Sequence, residues 1–276
     1  MRNERSALAL LASMLLLAGC GRSVDPIDRW LAGPLHSTYR PPDVAESAAL
    51  VVAFEAALEG RPVDVSPWGY EALTHADSFA LRERAPPSRG WGRYRVRHGD
   101  AWPLVLQAPH VGSDRFTGTI ATALFHVTRA RLVAFSSARR DLPGADQANA
   151  ADAPFARLGE AVAAAGAPWR LLQLHGYGAE TARRYDLPED GLVLSNGTRT
   201  IDPGLRALAA CWRDAGFDVR LFPEEAAYPG GTRNAVGAAL RRGDAQFIHV
   251  EMGLALRQGL VRRPHTLHRF SACLAP

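Results

Sequence analysis

Between Arg93 and Glu251 short apolar runs alternate with segments of helical spacing, and this alternation constrains the fold more than any other feature of the chain. Residues 104–108, 131–136, 169–174, 191–194, 217–222 and 246–250 have the length and apolar content of buried strands. Residues 117–129, 154–165, 203–215 and 233–242 read as the helices between them. Strands that are apolar on both faces must be covered on both. The expected class is therefore α/β, a mixed, mostly parallel sheet with helices on both faces. Residues 93–97 alternate as a further strand, and His98-Gly99-Asp100 reads as a hairpin turn into 104–108. Upstream, residues 43–59 carry Val44, Ala48, Val51, Val52 and Ala56 at helical spacing and close at Gly60.

Three of the strands end in residues that bind metals or move protons. Pro109 stops the first, since it has no N–H to give a ladder. His110 follows, Gly112 permits a sharp turn, and Asp114 precedes the helix near Thr117. The strand 169–174 runs into His175 and then Gly176, and 246–250 runs into Glu251, a residue type rarely buried without a partner. In open α/β sheets ligands bind at the carboxyl ends of strands. His110, Asp114 and His175 make a three-ligand set for one zinc-like ion with a position open to water. Glu251, outside that set, can take a proton from the water. A plainer reading stays open, with Asp114 complementing a helix N-terminus and His110 an ordinary loop histidine. His249 shares the face of Glu251 and is either a supporting or a packed residue. His126 lies on a helix, and His265 and His268 lie in an arginine-rich tail.

At these residues the chain resembles the zinc-dependent exopeptidase and amidohydrolase superfamily: metallocarboxypeptidases, aspartoacylase-like deacylases and N-formylglutamate amidohydrolase-like proteins. The resemblance spans roughly residues 93–257. It implies a phosphorylase/hydrolase-like fold, one Zn2+ on His110, Asp114 and His175, and Glu251 as general base. It also implies that arginine holds a substrate carboxylate, for which Arg139, Arg140 and Arg257 are candidates. Asn234 and Tyr177 are further candidate substrate contacts. The carboxypeptidase pattern puts two residues between histidine and carboxylate, whereas three separate His110 from Asp114. The activity implied is hydrolysis of an amide bond in a small peptide, an acylated amino acid or a cell-wall fragment. The alternative is a non-catalytic binding protein on a vestigial site. No Gly-x-Ser-x-Gly elbow supports a serine hydrolase, and the chain has no lysine for Schiff-base chemistry.

At the N-terminus Arg2 and Arg5 precede the apolar run 7–18, too short to span a bilayer comfortably, which ends Leu17-Ala18-Gly19-Cys20. This resembles the lipobox of bacterial lipoproteins. It implies a signal peptide over 1–19, acylation of Cys20, a tether over 20–42 and a domain over 43–276 whose part 43–90 is a helical extension. The implied location is the periplasmic side of the cell envelope. Gly21, in place of the aspartate that retains lipoproteins at the inner membrane, favours the outer membrane. Cys211 and Cys273 are then either a disulfide or two buried thiols. Net charge is +4, but the arginines are scattered and not interleaved with aromatics, so nucleic acid is not an expected partner. The expected partners are a small peptide or acyl-amino-acid substrate and, through the lipid, a membrane.

Overall fold

The computed structural model describes residues 25–84 and 88–276; the expected signal peptide and Cys20, within residues 1–24, and residues 85–87 lie outside the described residues. In chain order the elements are α1 (Pro26–Leu31), α2 (Val44–Leu58), β1 (Tyr70–Thr74), β2 (Ser78–Glu83), β3 (Arg93–Arg97), β4 (Trp102–Ala108), α3 (Thr117–Val127), β5 (Ala130–Phe135), α4 (Pro154–Ala165), β6 (Arg170–Gly176), α5 (Ala179–Tyr185), β7 (Leu192–Ser195), α6 (Pro203–Asp214), β8 (Val219–Leu221), α7 (Ala235–Leu240), β9 (Gln246–Met252), α8 (Leu254–Arg262) and α9 (Pro264–Ala272). No described helix is long and apolar enough to cross a membrane.

The strands form one nine-stranded sheet in the order β1-β2-β3-β5-β4-β6-β9-β7-β8. It is mixed, with helices on both faces, as the alternation predicts, but it is not mostly parallel: four of the strand pairings are parallel and four antiparallel. The parallel pairs are β5/β4, β4/β6, β6/β9 and β7/β8. Antiparallel pairs join β1, β2, β3 and β5 at one side and β7 to β9 at the other. Parallel pairing is thus concentrated at the centre, where Leu104, Val105, Leu106, Leu171 and Leu172 are fully buried. Each such side chain contributes about 1.5–3 kcal/mol by leaving water. Leu104, Leu106, Leu172, Leu174, Ile248 and Val250 face α3, α6, α8 and α9. Val105, Leu171 and Phe247 face α2, α4 and α7.

Several expectations are corrected. His98-Gly99-Asp100 is not a hairpin turn between partners. β3 pairs with β2 and β5, and β4 lies beyond β5, because α3 carries the chain from β4 back to a parallel β5. Helix α2 forms where expected, with an Asp43/Glu46 capping box. Its buried face, however, is Leu50, Phe54 and Ala57, whereas Val44 is 89% and Val52 65% exposed. The stretch 43–90, expected to be a helical extension, supplies β1 and β2 to the sheet. The stretch 20–42, expected to be a tether, is built into the fold from Asp25 onward. Ile27 and Leu31 of α1 pack with Ala80. Arg95, 2% exposed, is paired by Asp28 at 2.7 Å and Asp25 at 3.1 Å. Arginines in a buried strand need carboxylates, and these come from the stretch read as linker. Cys211 and Cys273 form a disulfide that ties α6 to the residue after α9. The arginine-rich tail is therefore helical and anchored, with His265 and His268 exposed on it.

Candidate metal centre

Parallel pairing of β4, β6 and β9 brings their carboxyl ends to one edge, and the alternation of side chains selects what reaches it. His175 lies directly opposite Glu251 in the β6/β9 register, and Gln173 opposite His249. Beyond Pro109 the chain makes one helical turn in which the Asp114 N–H donates to the His110 carbonyl at 2.8 Å. That turn places His110 and Asp114, four apart, on one side, so three intervening residues suit this site. Gly112 does not have left-handed backbone. A Cβ there would come within 2.4 Å of Leu35 Cδ1, the end of a flexible side chain that would have to shift. Nor does Asp114 cap α3, whose N-cap is Phe116 with no side-chain cap.

His110, Asp114 and His175 are all buried and converge. His110 Nδ1 lies 3.1 Å from His175 Nδ1 and 3.4 Å from Asp114 Oδ2, and His175 Nδ1 lies 3.3 Å from the same oxygen. Four-coordinate zinc with bonds of about 2.0–2.2 Å has ligand–ligand edges of about 3.3–3.5 Å, so the triangle has the size such an ion needs. The far nitrogens are engaged. His110 Nε2 meets Asp146 Oδ1 at 2.8 Å, and His175 Nε2 meets Gln173 Oε1 at 2.8 Å. Acceptors on the far side leave each Nδ1 with a lone pair turned into the site, the arrangement typical of ligating histidines. The Arg140 guanidinium donates to His110 Nδ1 at 3.1 Å, so that lone pair already faces a cation.

The electrostatics favour the ligand forms of Asp114 and His175, whereas at His110 a proton competes with a metal for Nδ1. Burial works against charge on His110, but Asp114 and Asp146 outweigh it and raise its pKa above the ordinary value. Burial also opposes ionisation of Asp114, yet the two histidines hold it well below the usual carboxylate range. Burial lowers His175 to about 4, so it is neutral near pH 7. Glu251 is pushed up to about 8 by burial first and Asp114 second. Its carboxylate and a ligand atom of His175 lie within 4.8 Å of each other. His249 is buried beneath it, its ring 4.7 Å from that of His175.

The remaining candidates divide. Arg140 lines the cleft of about 410 Å³ above the triangle, and so does Asn234. Asn234 Oδ1, however, caps α7 and its Nδ2 donates to Gln173. Arg139 does not line this cleft; it pairs with Asp141 at the surface. Arg257 is buried, its guanidinium donating to the carbonyls of Arg115 and Tyr177, so it braces the loops and does not reach the cleft. Tyr177 lines the cleft, with its hydroxyl donating to the carbonyls of Pro188 and Gly191. His126, in the last turn of α3, meets Asp28 at 2.6 Å. Sequence reasoning missed Asp146, Arg199 and Arg233, and it passed over Gln107 and Gln173. The glutamines carry a readable signal, since each is a lone amide within an otherwise apolar strand. Asp146 sits in a long loop and carries none.

No protein-family model and no curated protein matches the chain. Among solved structures it is similar to an N-formylglutamate amidohydrolase from Ralstonia eutropha JMP134, at 14% identity and TM-score 0.42, over 67% of this chain and 98% of that one. An aspartoacylase family protein from Mesorhizobium loti MAFF303099 is similar at 12% identity and TM-score 0.43, over 75% of this chain and 70% of that one. A bacteriophage poly-gamma-glutamate hydrolase is similar at 12% identity and TM-score 0.40, over 66% of this chain and 86% of that one. The chemistry is read from the residues themselves.

Proposed function

We propose that this protein is a metal-dependent hydrolase of an amide bond in a small, negatively charged substrate, with Glu251 as general base. The observation that carries the reading is the triangle of His110 Nδ1, His175 Nδ1 and Asp114 Oδ2 with edges of 3.1–3.4 Å beside the half-buried carboxyl of Glu251. The triangle would hold a divalent ion, zinc by the character of its donors, and such an ion would polarise a carbonyl and acidify water. Such an ion would also bring Glu251 down from about 8 toward the working range of a base. Glu251 takes the proton as the water oxygen attacks the carbonyl carbon, then returns it to the nitrogen as the C–N bond breaks. The cleft accommodates a dipeptide or an acylated amino acid. Arg140, Arg199 and Arg233 line it, and the last two make no ion pair with a described carboxylate. A substrate carboxylate supplies what they lack.

The test is metal content and hydrolysis of the purified chain from Asp25 onward. One equivalent of metal is expected, lost in His110→Ala and in His175→Ala. Glu251→Gln should keep the metal and lose about 10²–10⁴-fold in kcat. Full activity in that variant would overturn the role of Glu251, and metal loss would make it a ligand. Arg199→Ala and Arg233→Ala should raise KM for acidic substrates more than for neutral ones. Metal binding without turnover of any amide would favour the vestigial, ligand-binding alternative. The same proposal places the protein on a lipid anchor at the periplasmic face of the outer membrane, supported by Leu17-Ala18-Gly19-Cys20. Labelling with a fatty-acid analogue should mark the wild type and spare Cys20→Ala.

A further inference from the structure

Beneath the triangle a row of polar side chains crosses the apolar sheet. Gln107 of β4 lies opposite Gln173 of β6, and both are fully buried. Asn234, 2% exposed, reaches the same amide from the start of α7. An amide in a protein interior is oriented by its partners alone, because its oxygen and nitrogen are otherwise interchangeable in shape. Here the partners at both ends are backbone groups, which have no choice of role. At one end the Gly237 N–H, an orphan donor of the first turn of α7, donates to Asn234 Oδ1 at 3.1 Å. The Asn234 Nδ2 group must then point the other way, and it donates to Gln173 Oε1. That leaves Gln173 Nε2 to donate to Gln107 Oε1 at 2.9 Å. Gln107 Nε2 in turn faces the Phe155 carbonyl, which can only accept.

His175 joins this chain at its one shared acceptor. Its Nε2 lies 2.8 Å from Gln173 Oε1, the oxygen that already receives Asn234. The Asp114 carboxylate also faces the ring, 3.3 Å from Nδ1, but the acceptor at Nε2 is closer and favours the proton there, and a neutral imidazole protonated on Nε2 has its lone pair on Nδ1. We propose that Asn234, Gln173 and Gln107 are positioning residues, a polarised amide chain that sets the tautomer of His175 and so presents Nδ1 as a ligand. The inference rests on reading the triangle as a metal site and adds the device that prepares it. His110 reaches the same tautomer by a different route, through the Asp146 carboxylate.

The decisive variant is Asn234→Asp. The new carboxylate keeps the cap on Gly237 but has no hydrogen for Gln173. Gln173 then turns its amino group toward the carboxylate and His175, and Gln107 turns with it, giving up only its long 3.5 Å contact to the Phe155 carbonyl. His175 then meets a donor at Nε2, so its proton moves to Nδ1 and the ligand lone pair is lost. A carboxylate acting only as added negative charge would strengthen cation binding; tautomer reversal weakens it by about 10–100-fold. Long-range proton–nitrogen correlation NMR on the metal-free protein should show His175 protonated on Nε2 in the wild type and on Nδ1 in the variant, with His110 unchanged in both. Zinc competition against a chromogenic chelator should show the weaker affinity. If Asn234→Asp does not fold, Gln173→Met, which removes the acceptor, should give mixed tautomers at His175 and a similar loss of affinity. A wild-type His175 protonated on Nδ1, an unchanged tautomer in the variant that folds, or tighter zinc in Asn234→Asp would each overturn the proposal. If the wild type binds no metal, the tautomer measurements still decide the proposal, and the hydrolase reading fails separately.

Discussion

Glu251 and His175 face each other across one register position, and their burial acts on stability in opposite senses. Glu251 is shifted from 4.5 to about 8, so between these values the native state holds a proton that the unfolded chain has released. Its contribution to stability therefore falls as pH rises through that window. His175 is shifted from 6.5 to about 4, so between these values the unfolded chain binds the extra proton and stability rises with pH. The metal-free Glu251→Gln variant should match the wild type near pH 4.5 and melt at a progressively higher temperature toward pH 8. Thermal melts across that range check this, and a constant difference at all pH values would show that the burial of Glu251 is not the cause. A residue that costs stability at the pH where it works fits a site kept for function. The same scale explains why Arg257 and the Tyr177 hydroxyl are not free for a substrate carboxylate. Their residue types suit a substrate carboxylate, but their hydrogens are already given to backbone carbonyls that only the folded chain brings near. Asp114 was legible because a carboxylate four residues after a histidine needs only one local turn to meet it.

Elements decide the next level. The disulfide joins Cys211 and Cys273 across a sequence separation of 62 and fastens the last helix to α6, where Trp212 stacks on Phe270 at 4.4 Å. Replacing both cysteines by serine should cost about 2–4 kcal/mol, measured by denaturant unfolding. The metal triangle should survive, since α9 packs on the face of the sheet away from the amide chain. At the other end of the molecule Asp43→Ala removes the cap of α2 and should cost about 0.5–2 kcal/mol in the same assay. That cap was readable in the sequence as an aspartate followed three residues later by a glutamate. The orientation of α2 was not, because its valines, alanines and leucine satisfy helical spacing on more than one face. Leu50 and Phe54 are buried and Val44 and Val52 exposed because α4 packs on that side.

For the whole molecule, the N-terminal stretch matters most. Arg95 is buried and depends on Asp25 and Asp28 for its closest carboxylates. Removing residues through Pro42 leaves that guanidinium in a covered strand with Asp77 at 3.8 Å as its remaining carboxylate, and it uncovers Ala80. Loss of one side of a buried pair costs about 3–5 kcal/mol. A chain beginning at Asp43 should therefore be poorly soluble or markedly less stable, whereas one beginning at Asp25 should fold. Circular dichroism melts of the two truncations check this, and equal stability would show that the segment is only a tether.

The sequence by itself determined what is local: the alternation of strands and helices, the proline that ends β4, and the three side chains at strand ends with the carboxylate one turn beyond the first. Each follows from spacing along a few residues. Tertiary structure decided the rest. The order β3-β5-β4 and the antiparallel flanks depend on which strands pair, and spacing along the chain does not specify pairing. Asp146 reaches His110 across 36 positions, and Gln173 reaches Gln107 across 66. The tautomer of His175 is set by a backbone N–H at Gly237, 62 positions away in the chain, because the hydrogen bonds of buried amides are settled only where the chain closes around them.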